Sequence, residues 1–422
     1  MNILIVGGGG REHAIAVALS KSPKVEKLYC APGNGGISKV AECFPVKATD
    51  IDGMVELAKK LQPDYVFVAP DDPLVLGMVD RLNAEGFRTF GPRANAAILE
   101  GSKAFSKSLM KKYGIPTAAY EVFTEADKAV GYIKSQNSYP VVIKADGLAL
   151  GKGVVIAQNF DEAEAAVKSM MIDKKFGDSG SEVVIEEFMD GVEVTVLAFT
   201  DGKTVKPMVS SMDHKRAYDD DKGLNTGGMG TIAPNPLFTK DIAEEAMEKI
   251  FKPTIEAMSK EGRPFKGCLY FGLMLTKQGP KVVEYNARFG DPETQVVLPL
   301  LETDFVDIIE AVYEEKLADL DIKWSDKACA CVVMASGGYP EKYETGKPIF
   351  GLDENGQTDG AFVYHAGTRF ENGEFLTAGG RVLGVTATGD DLKSALSDAY
   401  KAVEKISFEK AHYRKDIGKK AL

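Results

Sequence analysis

Apolar residues in the first hundred positions fall in short runs separated by stretches of helical period. NILIVG (2–7) leads into a helical segment at about 11–21, and VEKLYCAPG follows as a second β-branched run. VELAKKLQ then precedes DYVFVAP, and LVLGMVDRLNAEG precedes FRTFGP. This rhythm predicts parallel strands joined by crossover helices, a doubly wound α/β unit. In such a sheet the turns at the strands' carboxyl ends are the usual ligand edge.

The pattern changes near Ser102. A helix through Tyr113 breaks at GIPTA, and then YPVVIKA (139–145), the turn DGLALGKG (146–153), GVVIA (153–157), a helix in DEAEAAVKSMM and the strand EVVIEEFM (182–189) follow. These predict a small, mobile α+β lobe. From Val192 the sequence reads as hairpins, with turns at TDGK and TKQGPK, a long helix at about 239–260 and another at 303–315. A last segment, with ACACVVMASGGYP, GAFVYHAGT, GRVLGVTA and a helix near 391–404, predicts a terminal α/β domain.

With 422 residues the chain is too long for one core, and three or four modules are expected. Composition is that of a soluble globular protein, with no apolar run long enough for a membrane span. MNILIVGGGG has no basic n-region, so it reads as a first strand and a cytoplasmic location is expected. A net charge of −11 argues against nucleic acid and anionic membranes as partners, but not against an anionic substrate in a local site. The five cysteines are scattered; Cys329 and Cys331 share one face of a strand, and no matching CxxC suggests a metal or redox pair.

The first strand ends in Gly7-Gly8-Gly9-Gly10-Arg11-Glu12-His13. Bare backbone N–H groups at a helix start suit an anion. A nicotinamide-dinucleotide fingerprint would need glycine where Glu12 stands, and no acidic residue ends the second strand. A monophosphate beside Arg11 fits better, and a tight strand–helix turn is the plain alternative. The second glycine-rich turn follows Lys144 and holds Gly151, Lys152 and Gly153. It lacks Walker spacing, so it reads as a polyphosphate loop on a β-hairpin, with Lys103 as a second phosphate contact. Glu186 and Glu187 close an apolar run, either as nucleotide acceptors or as half-exposed edge carboxylates.

The sharpest pattern is VEYNARFGDPE (283–293). Period two puts Glu284, Asn286 and Arg288 on one strand face and Val283, Tyr285 and Ala287 on the other. A carboxylate and an amide oxygen are hard ligands suited to Mg²⁺ that keeps waters and phosphate oxygens. The adjacent guanidinium can grip a phosphate or carboxylate. DHKR (213–216) and NTGGMG (225–230) flank an acidic stretch and read as a substrate clamp. No serine or cysteine nucleophile motif and no HExxH occurs.

GGREHA, EGSKAFSK (100–107), IKADGLALGKGVVIA (143–157), IEEFMDGVE (185–193), DHKR, NTGGMG, EYNARFGDPETQ (284–295), GGYP, HAGT, GGRVL and YRKDIG together make the chain resemble the phosphoribosylamine–glycine ligase family, in order and over nearly its whole length. The resemblance implies an ATP-grasp fold: a preATP-grasp domain at 1–101, a grasp domain at 102–325 with its small lobe at about 120–190, and a C-terminal domain at 326–422. It implies that the chain joins glycine to 5-phosphoribosylamine with ATP, through glycyl phosphate; a monomer is expected. Glu284 and Asn286 fall on the family's Mg²⁺ or Mn²⁺ positions, and Lys103 and Lys144 on ATP-phosphate positions. Glu186, Glu187 and Phe188 fall on the adenine pocket and Glu193 on the ribose; Lys215 is expected on the nucleotide side. Gly9, Gly10 and Arg11 would hold the phosphoribosylamine phosphate. Asp213, Arg288 and Asp291 are the candidates for glycine, with Gly290 beside them; Arg288, Lys144 and Asp291 are the expected catalytic groups. Departures are Gly8, Leu150, Met212 and Asp71, the last a shorter acid than the family carries. The rivals are another ATP-grasp carboxylate–amine ligase and a dinucleotide-dependent oxidoreductase.

Overall fold

The computed structural model describes residues 1–148, 153–175 and 177–422. At its start lies a five-stranded sheet in the spatial order Glu42–Cys43, Lys27–Pro32, Asn2–Gly7, Tyr65–Val68, Thr89–Phe90. Every pairing in it is parallel. Ile3 to Val6 are completely buried, as expected where helices cover both faces of a parallel sheet. The first helix runs Gly10–Ser20, one residue earlier than the periodicity predicts. The order reverses between Asn2–Gly7 and Tyr65–Val68, so the chain ends that follow these strands, at Gly8 and at Ala69, border the crevice of the sheet.

The predicted small lobe is a four-stranded antiparallel sheet ordered Tyr120–Phe123, Val183–Glu187, Val141–Ala145, Val154–Ala157. Helices Ala126–Gln136 and Phe160–Met171 close its own small core around Ile133, Ile143, Val167 and Met170. The body behind it is a second antiparallel sheet: Val205–Pro207, Val192–Asp201, Lys266–Thr276, Gly279–Asn286. The two predicted hairpins are its outer pairings. The long helix spans Lys240 to Lys260 and widens to a π-turn at Met247–Phe251.

A further sheet joins distant parts of the chain. Met212–Asp213 and Gly230–Ala233 pair onto Ala328–Ala335, which continues to Arg381–Gly389 and Phe362–His365. The segment carrying DHKR and NTGGMG is therefore hydrogen-bonded to the C-terminal strands. Ala328–Ala335 is buried at every position, so Cys329 and Cys331 are core residues with free thiols. Burial pushes the Cys331 thiol up to about 12. Among the described residues no helix is long and apolar enough to cross a membrane.

Strict alternation fails at one point of the Gly279–Asn286 strand. Gly272 pairs with Glu284 but Leu273 pairs with Val282, so Val283 is the extra residue of a β-bulge. Tyr285 and Ala287 face the core as predicted, together with Val282. Val283 does not share their face, because the bulge resets the period just before Glu284. Its freed carbonyl is used: Lys144 Nζ donates to it at 3.2 Å.

Candidate active site

The bulge brings the edge of the body sheet against the base of the lobe. Lys144, at the end of its strand, also meets Glu186 Oε1 at 3.0 Å. Glu186 Oε2 is held by Lys107 at 3.0 Å. Glu186 is thus a buried acid supplied with donors by two lysines, and Lys107 is a partner the sequence pattern does not single out. Glu187 differs from its neighbour: it is exposed, and it accepts the Ala119 N–H at 3.0 Å. The two acids, read from sequence as nucleotide acceptors or as half-exposed edge carboxylates, divide into one buried and one exposed, since successive strand residues face opposite ways. Phe188 is also exposed.

Lys103 begins the helix Lys103–Tyr113 and donates to the Gly147 carbonyl at 2.7 Å. Asp146 accepts from Ser102 Oγ at 3.1 Å and from the Ala104 N–H at 3.0 Å. The helix start is thereby bolted to the first residues of the glycine-rich turn, where Gly147 adopts a positive φ of 85°. Gly151 and Lys152 lie outside the described residues; the Gly153 carbonyl accepts from the Ala145 N–H at 2.8 Å and closes the hairpin.

On the sheet side Lys215 stands between Glu193, at 3.2 Å, and Glu284, at 3.7 Å. Glu193 above all raises the Lys215 pKa, so the amine stays charged. Burial pushes the Glu284 carboxyl up, but Lys215, Lys144, Lys103 and Arg288 outweigh it and hold the group below its ordinary value. Three of these cations also meet other acids, Lys144 at Glu186, Lys215 at Glu193 and Arg288 at Glu100, whereas Lys103 meets the neutral Gly147 carbonyl; a polyphosphate would give them a further anionic partner.

Arg288 lies just beyond the strand. Its Nη2 is 2.9 Å from Glu100 Oε1 and 3.8 Å from Asp71 Oδ2. Glu100 is buried, which pushes its carboxyl up to about 7 against the pull of Arg288. The Asn286 amide has its hydrogen bonds satisfied only when its nitrogen faces Glu100 Oε1, at 3.0 Å, and the Tyr285 carbonyl, at 3.3 Å. That orientation turns Oδ1 away from Glu100 as a free acceptor. Among the described residues no cluster of three or more His, Cys, Asp or Glu side chains could hold an ion. One carboxylate and one amide oxygen nevertheless match a Mg²⁺ site completed by phosphates and water, so Glu284 and Asn286 fit that group.

The first glycine turn has different surroundings. The Gly9 N–H donates to Glu12 Oε2 at 2.6 Å. Arg11 Nε donates to Glu12 Oε1 at 2.6 Å, and Nη1 to the Phe289 carbonyl at 3.2 Å. Glu12, the residue that breaks the dinucleotide fingerprint, therefore folds its own carboxylate onto the turn. Asp291 adds a second: an oxygen of its carboxylate lies 3.4 Å from where a Gly9 Cβ would sit. Burial raises the Asp291 pKa, and Arg381 and Arg11 overcome it, so the group is held below its usual value. Gly290 is buried with no room for a side chain, since a Cβ there would collide with Glu293 Oε2. Asp213 accepts the His214 N–H at 2.7 Å, and burial together with Glu293 pushes its carboxyl up. Arg381 stands in the GGRVL stretch without a role read from sequence; it donates to the Gly227 carbonyl at 2.6 Å and to the Asp291 carbonyl at 2.7 Å. Glu100 and Lys107 both stand in EGSKAFSK, where no local pattern separates them from surface charges.

Residues 1–100, 101–294 and 329–420 match models of the phosphoribosylglycinamide synthetase N, ATP-grasp (A) and C domains. The chain is 52% identical over 417 residues to phosphoribosylamine–glycine ligase of Caldanaerobacter subterraneus subsp. tengcongensis, covering 99% of each. It is 48% identical to the Clostridium acetobutylicum enzyme of that name, over 99% of this chain and all of the other. A crystal structure of phosphoribosylamine–glycine ligase from Thermotoga maritima superposes with a TM-score of 0.87 at 34% identity, covering 99% of this chain and 100% of that one. The biotin carboxylase domain of Hydrogenobacter thermophilus 2-oxoglutarate carboxylase, in complex with MgADP and bicarbonate, shares the fold at a TM-score of 0.75 and 15% identity, over 98% and 91% of the two chains.

Proposed function

The chain belongs to the phosphoribosylglycinamide synthetase family, and from that premise we propose how its residues join glycine to 5-phosphoribosylamine with ATP in purine biosynthesis. The products are glycinamide ribonucleotide, ADP and phosphate. A carboxylate does not acylate an amine at neutral pH, so glycine is activated first. Its carboxylate oxygen attacks the γ-phosphorus of ATP, forming glycyl phosphate as the bond to ADP breaks. The amine of phosphoribosylamine then attacks the acyl carbon through a tetrahedral intermediate. Phosphate leaves with the acyl-oxygen bond, and the amine loses its proton.

Positioning and charge neutralisation dominate such a transfer. Lys103, Lys144 and Lys215 face the polyphosphate, with Gly147 beside Lys103 and with Glu186 and Lys107 fixing Lys144. Glu186, Glu187 and Phe188 border the adenine, and Glu193 the ribose. Glu284 and Asn286 hold Mg²⁺ or Mn²⁺, which supplies neutralisation of the phosphate oxygens when bound. Arg288 receives the glycine carboxylate, and Asp213 and Asp291 face the amine groups. Phosphoribosylamine docks at Gly9, Gly10 and Arg11, where its phosphate has to displace a carboxylate from the turn. The chain acts as a cytoplasmic monomer.

One observation carries this reading: a carboxylate on a bulged strand, ringed by Lys103, Lys144, Lys215 and Arg288. The test is phosphate release with glycine and fresh phosphoribosylamine, each omitted in turn. Release is expected only when glycine is present, with full turnover requiring both. Equal release without glycine would refute the reading.

A further inference from the structure

Resting on the reading that Glu284 and Asn286 hold the divalent cation, we propose that Glu100 is the positioning residue that turns Asn286 into a metal ligand. Glu100 lies in the last turn of the helix Ala94–Gly101, outside the strand it serves. Its carboxylate meets three consecutive residues where the chain leaves the sheet. Oε2 accepts the Ala287 N–H at 2.7 Å. Oε1 receives Arg288 Nη2 at 2.9 Å and, in the one amide orientation that satisfies Asn286, its nitrogen at 3.0 Å. The Glu100 side chain is only 5% exposed, so water does not replace these partners.

The chemistry follows from what a carboxylate lacks. Both Glu100 oxygens are already engaged as acceptors, Oε2 by the Ala287 N–H and Oε1 by Arg288 Nη2, so Asn286 faces Oε1 with its NH₂. A primary amide is nearly symmetric in shape, and rotation by half a turn would put NH₂ where the ligand oxygen belongs. An NH₂ group aimed at a cation repels it. Glu100 therefore selects between two amide orientations of similar shape and opposite polarity, and the Tyr285 carbonyl, at 3.3 Å, reinforces the choice. The same carboxylate holds Arg288 beside Asn286, so cation and guanidinium are set by one group. Partners behind a ligand typically change metal affinity or activity by roughly 10- to 100-fold when removed.

Mn²⁺ binding to the enzyme–ADP complex, followed by the electron paramagnetic resonance of free Mn²⁺, tests this apart from turnover. Glu100→Gln is expected to weaken Mn²⁺ roughly tenfold or more, with metal-free ADP affinity unchanged. The reason is that the introduced glutamine can present NH₂ to Asn286 and stabilise the wrong orientation. The double variant Glu100→Gln with Asn286→Asp is expected to recover Mn²⁺ affinity, since the introduced aspartate offers oxygen in either orientation and the glutamine can donate to it. Mn²⁺ affinity within twofold of the parent in E100Q overturns the proposal, as does a folded double variant that binds no better than E100Q. Should E100Q alone fail to fold, the double variant decides by the same comparison with the parent. Glu284→Ala separates the two levels. If E284A also leaves Mn²⁺ affinity intact, the metal reading itself fails; if only E100Q does, the positioning role alone is lost.

Discussion

Two glycine-rich turns sit at strand ends of this molecule, and their surroundings give them opposite electrostatic characters. The turn after Gly7 is lined by acids: Glu12 accepts the Gly9 N–H at 2.6 Å and neutralises Arg11, and Asp291 stands alongside. The turn after Lys144 is flanked by amines, with Lys103 on the Gly147 carbonyl at 2.7 Å and Lys144 pinned by Glu186 and the bulge carbonyl. Glycine supplies close approach in both. Which ligand is welcome depends on whether the chain has already filled the N–H groups and paired the cations. At the second turn Lys103 meets a neutral carbonyl, while at the first Arg11 is already paired with Glu12.

The comparison breaks most visibly through Glu284 and Lys144. Glu284→Ala removes the proposed metal ligand, the carboxylate on which four cations converge. It should cut ATP turnover by roughly a thousandfold or more. Activity near the parent's at saturating Mg²⁺ would count against the metal assignment. Lys144→Ala should cost a similar order, and it also strips Glu186 of one of its two lysines. A mutant enzyme that retains parent-like ATP turnover would mean that the second turn is not a phosphate site.

Arg11→Ala probes the other turn and should be smaller in turnover, with a stability cost of its own. The Arg11–Glu12 pair is nearly buried, with side-chain exposures of 11% and 2%. Removing one partner of a buried pair costs about 3 kcal/mol or more, through the charge left behind. The Michaelis constant for phosphoribosylamine should rise roughly tenfold while that for ATP stays near normal. Equal rises for both substrates would erase the distinction between the turns. Denaturant unfolding alongside the kinetics separates loss of fold from loss of binding.

The doubly wound start, the small lobe and both hairpins are legible in the sequence because each carries its own period and its own turn residues. The pair proposed to hold the metal, Glu284 and Asn286, is picked out in the sequence by its spacing of two. Val283 is misplaced by that spacing because a bulge is set by the partner strand: Gly272 and Leu273 pair across it, and nothing in VVEYN marks the slip. Glu100 and Lys107 escape for a related reason. Each is a charged residue on a short helix segment, and only tertiary packing shows that one is buried against Asn286 and Arg288 and the other against Glu186. The sheet that joins DHKR and NTGGMG to the C-terminal strands is equally illegible, since strands far apart in sequence complete it, as Ala233 pairing with Cys329 shows.

The smallest predicted effect separates the two turns by pH. His13, on the helix that follows the first turn, accepts the His365 N–H through Nδ1 at 2.8 Å. His365 Nε2 lies 2.8 Å from the Gly356 carbonyl and Nδ1 lies 3.0 Å from Thr368 Oγ1, so the neutral ring is satisfied on both sides. Burial, helped by Lys39 nearby, lowers the His365 pKa to about 4. An unfolded histidine titrates near 6.5, so the unfolded chain binds more protons across the window from about 6.5 down to 4. Stability is therefore complete above that window and falls as pH drops through it, by about 2 kcal/mol for this residue between pH 7 and 5. His365→Gln, which keeps an amide donor and acceptor without a titrating ring, should shrink the fall in melting temperature over that range. The hairpin after Lys144 has no histidine to respond, so nucleotide affinity of the His365→Gln variant at pH 6 should match the parent's. An unchanged pH dependence of melting in H365Q would show that the seam behind the first turn does not carry the acid sensitivity assigned to it.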